Sequence, residues 1–191
     1  MCIRDSFQPD DTLILYYHTL TSKNAFLDLK LRGGLTLPIS KASVDTDNVT
    51  KTSLMVQMSK EFFNKKLSIS YRPYFTYYVN EFTSSPDGNP LRQASLGNWV
   101  LSSYKVTSEF SLNLTFQSAF HWNQKSPFAS TAAPKTGSYL IEPYLRYDVN
   151  DNISTRLGYS HSDRYTKSGR YEINLYDPEV SRVFLAVDLS I

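Results

Sequence analysis

The sequence predicts an all-β fold, an antiparallel up-and-down barrel with about nine strands among its 191 residues. Three observations predict it. Apolar and polar residues alternate strictly over long stretches, which marks strands with one greasy and one wet face. The connections between those stretches alternate short and long without exception, as a barrel with one plain and one elaborated rim requires. No apolar run approaches the roughly 20 residues of a membrane-spanning helix.

The strands are expected near 12–20, 25–40, 52–62, 66–82, 97–106, 110–124, 137–149, 153–166 and 179–191. The first, third and eighth are bounded mainly by the turn-rich stretches beside them. In the second, Leu27, Leu29, Leu31, Leu35, Leu37 and Ile39 oppose Asp28, Lys30, Arg32, Thr36 and Pro38. In the fourth, Leu67, Ile69, Tyr71, Pro73, Phe75, Tyr77 and Val79 oppose a polar set that includes Arg72. The fifth is ambiguous, and the register placing Val100, Ser102, Tyr104 and Val106 on the apolar side matches Phe110 across the next turn. The sixth, FSLNLTFQSAFHW (110–122), is the clearest: Phe110, Leu112, Leu114, Phe116, Ser118, Phe120 and Trp122 alternate with polar or small residues. In the seventh, Tyr139, Ile141, Pro143, Leu145, Tyr147 and Val149 oppose Glu142, Tyr144, Arg146 and Asp148. The last sets Val183, Leu185, Val187, Leu189 and Ile191 against Arg182, Phe184, Ala186, Asp188 and Ser190.

Tight connections fall at TSKN (21–24), FNKK (63–66), TSE (107–109) and NDN (150–152). Longer ones, near 41–51, 83–96, 125–136 and 167–178, carry most of the Pro, Gly, Ser and Asp. A Greek-key sandwich mixes connection lengths and crosses between sheets, so it fits less well. PYFTYYVN (73–80) and PYLRYDVN (143–150) match coarsely, but the layout runs them in opposite directions, which favours convergent composition over a duplicated hairpin. Pro73 and Pro143 fall mid-strand, where Pro removes a ladder bond, and a local bulge is expected at each.

Residues 1–6, MCIRDS, resemble the translation of a transposon-type sequencing adapter, ATGTGTATAAGAGACAG, and are read as non-native. The domain is then 7–191, a single barrel incomplete at its N-terminus. Cys2, the one cysteine, belongs to that leader. Absence of a signal peptide then carries no information about export.

The net charge of +2 implies no polyelectrolyte partner, and the scattered basic residues with no reader motif argue against nucleic acid. His18, His121 and His161 lie on different strands without metal-ligand spacing, so no metal is expected. Ser160-His161-Ser162 is adjacent in sequence, but strand neighbours point to opposite faces, so no catalytic triad is read from it. Gly33-Gly34 more simply relieves crowding or bends a strand than cradles a phosphate. The chain is expected to be non-enzymatic and without a cofactor.

Strand length decides between the two environments open to such strands. A strand tilted about 45° needs roughly 9–11 residues to cross the hydrocarbon layer, and residues 110–120 fit that span. Aromatic rings cluster toward both rims: Tyr16, Tyr17, Phe62, Phe63, Phe110 and Tyr147 at the short-turn end, and Tyr77, Phe82, Trp99, Phe120, Trp122, Tyr139 and Tyr159 at the other. These are the expected girdles. An open sheet edge in hydrocarbon would cost several kcal/mol per unpaired backbone group, so closure is expected, with ten to twelve strands in the intact protein. The predicted lumen-lining set is Asp28, Lys30, Arg32, Glu61, Arg72, Gln117, His121, Glu142, Arg146, Arg156, Arg182 and Asp188.

On these residues, 13–191 resemble a Gram-negative outer-membrane β-barrel protein, by architecture rather than by motif. The resemblance implies a place in the outer membrane, contact with its lipid and lipopolysaccharide, and delivery by the barrel-assembly machinery. Such proteins end in an amphipathic strand closed by an aromatic residue; Ile191 stands where Phe is usual. LRGGLTLPISKAS (31–43) resembles the strand-into-loop segment of several barrel families. The function expected is a passive channel or transporter for small polar or amphiphilic solutes. The alternatives are a plugged structural or adhesive barrel acting through loops such as 84–98 and 125–137, an outer-membrane hydrolase or acyltransferase, and a soluble β-sandwich or calycin-like binding protein.

Overall fold

The structure, a computed structural model, describes residues 12–20, 27–37, 39, 48–84, 88–125, 136–150, 152–167, 170–171 and 173–189. Residues 1–6, Pro38, the 126–135 stretch, Ser190 and Ile191, on which several expectations rest, lie outside the described residues. Among the described residues no helix is long and apolar enough to cross a membrane.

Nine strands form one sheet: β1 (Thr12–Thr19), β2 (Asp28–Leu37), β3 (Asn48–Phe62), β4 (Leu67–Asn80), β5 (Arg92–Lys105), β6 (Phe110–Asn123), β7 (Thr136–Asn150), β8 (Ile153–Arg164) and β11 (Ser181–Leu189). A small antiparallel hairpin, β9 (Thr166–Lys167) and β10 (Arg170–Tyr171), stands in the connection before β11. Every neighbour in the order β1-β2-β3-β4-β5-β6-β7-β8-β11 is antiparallel, so the up-and-down order predicted from connection lengths is the observed one.

The sheet is not closed, contrary to the expected barrel. Its order is linear, with β1 at one edge and β11 at the other. The physical reason lies in the parity: eight antiparallel steps bring β11 back to the direction of β1. Those two strands run alike and cannot complete an antiparallel ladder with each other.

β3 and β5 begin earlier than the sequence pattern suggested, at Asn48 and Arg92. Each carries an irregularity at that end, between Asn48 and Thr50 and between Arg92 and Ala94. A bulge shifts the alternation by one residue, which hides a strand's first rungs from a strict period of two. The expected bulges at Pro73 and Pro143 are absent. Met55–Tyr74 and Met58–Tyr71 keep one register on either side of Pro73, as Ile141–His161 and Tyr144–Gly158 do beside Pro143. Proline lacks the N–H, so the ladder skips rungs toward β3 and β8 without slipping. On their other sides both prolines stay paired, with Asn98 and Leu114.

Register assigns every strand residue to one of two faces. Leu29, Leu31 and Leu35 of β2 share a face with Met58, Val56 and Leu54 of β3, with Tyr71, Phe75 and Tyr77 of β4, and with Val100 and Tyr104 of β5. The same face continues through Leu112 and Leu114, Leu145, Leu157 and Val183 to Leu189. This apolar face is the exposed one: Val183 is 78 % exposed, Leu185 74 % and Leu189 71 %. The polar face is the covered one, with Ser70, Ser95, Thr36 and Ser154 all buried. Soluble sheets have the opposite sense.

Glycine permits the close approach of strands on both faces. Tyr16 pairs with Gly33, Tyr74 with Gly97, Phe120 with Gly137 and Tyr144 with Gly158. At Gly97 and Gly137 the ring of the cross-strand partner, Tyr74 and Phe120, lies over the bare backbone, a device that fills the gap a glycine leaves in a sheet. In the β3–β4 turn, Phe63, Asn64 and Lys65 all adopt positive φ (51°, 53° and 67°), and Lys66 N donates to Phe63 O at 3.1 Å.

Candidate functional site on the polar face

The charged and polar side chains singled out in the sequence meet on one face of the sheet. Asp28, Lys30 and Arg32 project from β2, Glu61 from β3 and Arg72 from β4. Gln117 and His121 follow from β6, Glu142 and Arg146 from β7, Arg156 from β8, and Arg182 and Asp188 from β11. Alternation alone places them together, because each is in phase with its neighbour's polar residues across a continuous ladder.

On β7, β8 and β11 two of the arginines have aspartate partners, while Arg164 and Arg182 share the same face. Arg146 Nε donates to Asp148 Oδ1 at 2.7 Å. Arg156 Nη2 donates to Asp188 Oδ1 at 2.8 Å, while its Nε lies 2.7 Å from Oδ2 off the line of a hydrogen bond. The Arg156 guanidinium also stands over the Tyr144 ring, 5.8 Å from its centroid. These groups border a cavity of about 820 Å3 near the short-turn rim, together with Glu109 and Ser154.

On β2 to β5 the cations face rings instead of acids. Arg32 stands over Tyr17 at 5.6 Å and Arg92 over Tyr78 at 5.9 Å, and Arg72 Nε donates to Ser70 Oγ at 3.1 Å. A second cavity of about 340 Å3 opens here, lined by Leu13, Arg32, Thr36, Lys51, Ser53, Thr76 and Tyr78. Lys51 and Arg92 were missing from the sequence-derived set. Lys51 is in phase with Ser53, Met55 and Gln57 and lies one position before the expected start of its strand, whereas Arg92 precedes a bulge that sets it out of phase with Ser95 and Trp99 of the same face.

The rings divide. Tyr16, Phe62, Tyr77, Phe110, Phe120, Trp122, Tyr139, Tyr147 and Tyr159 lie on the apolar face. Two of the expected girdle residues do not. Tyr17 pairs with Arg32 and Trp99 with Arg72, both on the polar face. The reason is elementary: Tyr17 follows Tyr16, Trp99 precedes Val100, and adjacent strand residues point oppositely. Phe63 sits in the turn, 73 % exposed. Tyr139, only 2 % exposed, is buried rather than presented at the rim.

Tyr139 is covered because the chain after β8 folds back across the apolar face. Its hydroxyl donates to Asn174 O (2.5 Å) and accepts from Asn174 N (2.8 Å). His161, fully buried, stands beside it, with Nε2 3.4 Å from the Tyr139 hydroxyl and Nδ1 2.9 Å from Ser181 Oγ. Ser181 Oγ also accepts from Asp177 N at 2.9 Å, and the Tyr159 hydroxyl donates to Leu175 O at 2.6 Å. The result is a clasp for the return segment. Polar residues in the apolar phase, His161 with Leu157 and Ser181 with Val183, were the legible sign of it.

His18 stacks on Tyr16 on the apolar face, ring centroids 6.4 Å apart, and His121 Nδ1 lies 2.8 Å from Ser95 Oγ on the polar face. The three histidines therefore sit in three separate environments. Ser160 and Ser162 point to the face opposite His161. Among the described residues no group of three or more His, Cys, Asp or Glu side chains is arranged to hold a metal ion. Comparison with models of known protein families, with curated proteins and with solved structures finds no match.

Proposed function

We propose that the chain is part of an outer-membrane β-barrel whose polar face lines an aqueous interior, and that it serves as a passive channel or transporter for small polar or amphiphilic solutes. One observation carries the reading: large apolar side chains stand exposed on one face, while Thr36, Ser70, Ser95 and Ser154 of the opposite face, which also carries the charged groups, are buried. In water such a face would be an aggregation surface far beyond what single exposed residues explain. Acyl chains solvate it at no such cost, and a strand of 14 residues such as β6 exceeds the length a tilted crossing needs. The cavities on the polar face, rimmed by charge, supply the hydrophilic path. The lipid, lipopolysaccharide and assembly-machinery partners of such barrels are part of the same proposal.

Single-channel recording of the protein in planar bilayers tests it. Discrete conductance steps are the expected result; insertion without any step would remove the transport function. Recovery of folded protein in the aqueous phase of a detergent phase separation would remove the membrane assignment as well.

A further inference from the structure

The polar face is electrically lopsided. On β7, β8 and β11, Arg146 and Arg156 are each neutralised by an aspartate at 2.7–2.8 Å. Across β2 to β5 the corresponding cations are Lys30, Arg32, Lys51, Arg72, Arg92 and Lys105, and among the described strand residues the carboxylates sharing their face are Asp28 and Glu61, at the short-turn end. β1 and β6 add none: their polar-face residues are Leu13, Leu15, Tyr17 and Thr19, and Ser111, Asn113, Thr115, Gln117, Ala119, His121 and Asn123. Cations gathered on one face of a sheet repel one another and favour a counter-ion.

The cavity of about 340 Å3 lies within this strip. One rung crosses it, Leu13–Thr36–Lys51–Tyr78, and Arg32 stands farther along β2. At Gly34 the missing side chain leaves room for the Ser53 hydroxyl, whose Oγ lies 2.5 Å from where a Cβ would be, with the Leu15 and Leu13 methyls at 3.4 and 3.7 Å. One wall is thus aliphatic and aromatic, and the other offers a guanidinium, an ammonium and the Ser53, Thr36 and Thr76 hydroxyls. The volume falls at the small end of the range for small-molecule pockets.

We infer that this cavity binds a small amphiphilic organic carboxylate. Arg32 presents a planar fork that matches a carboxylate, Lys51 adds a point charge, and Leu13 with the Tyr78 ring receives the apolar body. The site deepens the channel reading and rests on the polar face being its water-filled interior; it makes that interior selective for organic anions.

The test is calorimetric titration of the full chain in non-ionic detergent with benzoate, and with benzamide as its uncharged counterpart. Benzoate is expected to bind saturably and about tenfold or more tighter than benzamide. Arg32→Gln with Lys51→Gln is expected to abolish that preference, whereas Arg156→Gln leaves it within about twofold. Equal affinity for benzoate and benzamide, no saturable benzoate binding, or full retention of the preference in the double variant would each overturn the site. The comparison on the unaltered chain decides the matter even where the double variant fails to fold. Benzoate binding with silent bilayers would sink the channel and keep the site; conductance without benzoate preference would do the reverse.

Discussion

A Cβ at Gly158 would stand 2.5 Å from Tyr144 Cβ, 2.7 Å from the Phe184 ring and 2.8 Å from the Pro143 carbonyl oxygen. Two of these neighbours are backbone or backbone-fixed and cannot swing aside. Gly158→Ala is therefore expected to destabilise the sheet by about 1–3 kcal/mol, read from denaturant unfolding in detergent. The Tyr139 hydroxyl holds both the N–H and the C=O of Asn174. Tyr139→Phe removes both of these hydrogen bonds, each with a net worth of about 0.5–1.5 kcal/mol. Hydrogen exchange over residues 173–180 should rise in that variant, while exchange in β6 stays unchanged. Unaltered protection of the return segment would show that the clasp does not hold it.

At the scale of the strand, β6 offers a direct comparison of its two faces. Leu114 is exposed on the apolar face, and Thr115 lies on the polar face between Leu101 and Glu142. If lipid wets the apolar face, Leu114→Arg costs about 2–4 kcal/mol near the bilayer midplane. Thr115→Arg should cost far less, since its guanidinium can reach Glu142. If water wets that face, Leu114→Arg is nearly neutral, because the side chain is already exposed. Folding free energies of the two variants into lipid vesicles separate these outcomes. The prolines belong to this scale too: Pro73 and Pro143 each interrupt the ladder on one side only, without loss of register.

The whole sheet has two unpaired edges, β1 and β11, both running in the same direction. Exposed edges are templates for further strands. In micelles the chain of 191 residues is accordingly expected to associate through them, which light scattering would register as species larger than one copy. A strictly monomeric particle would mean that the edges are covered some other way. Charge is distributed at this scale as well: the two arginine–aspartate pairs lie on β7, β8 and β11, and the cavity lined by Arg32 and Lys51 lies on the other half of the polar face. No single strand displays that asymmetry.

Strand number, order and facing were legible in the sequence because they follow from a period of two and from connection length, both local properties. Every predicted interior residue from Asp28 to Asp188 shares a face for this reason. Strand starts at Asn48 and Arg92 were not legible, since bulges there reset the period. Only the tertiary structure decided the rest. That the apolar face is the exposed one is a property of all nine strands together, since it depends on what the assembled sheet leaves uncovered. That Arg156 is neutralised by Asp188 while Arg32 and Lys51 border an open cavity depends on which strands become neighbours. Pairing of residues far apart in the chain is an outcome of the ladder, and no window of sequence contains it.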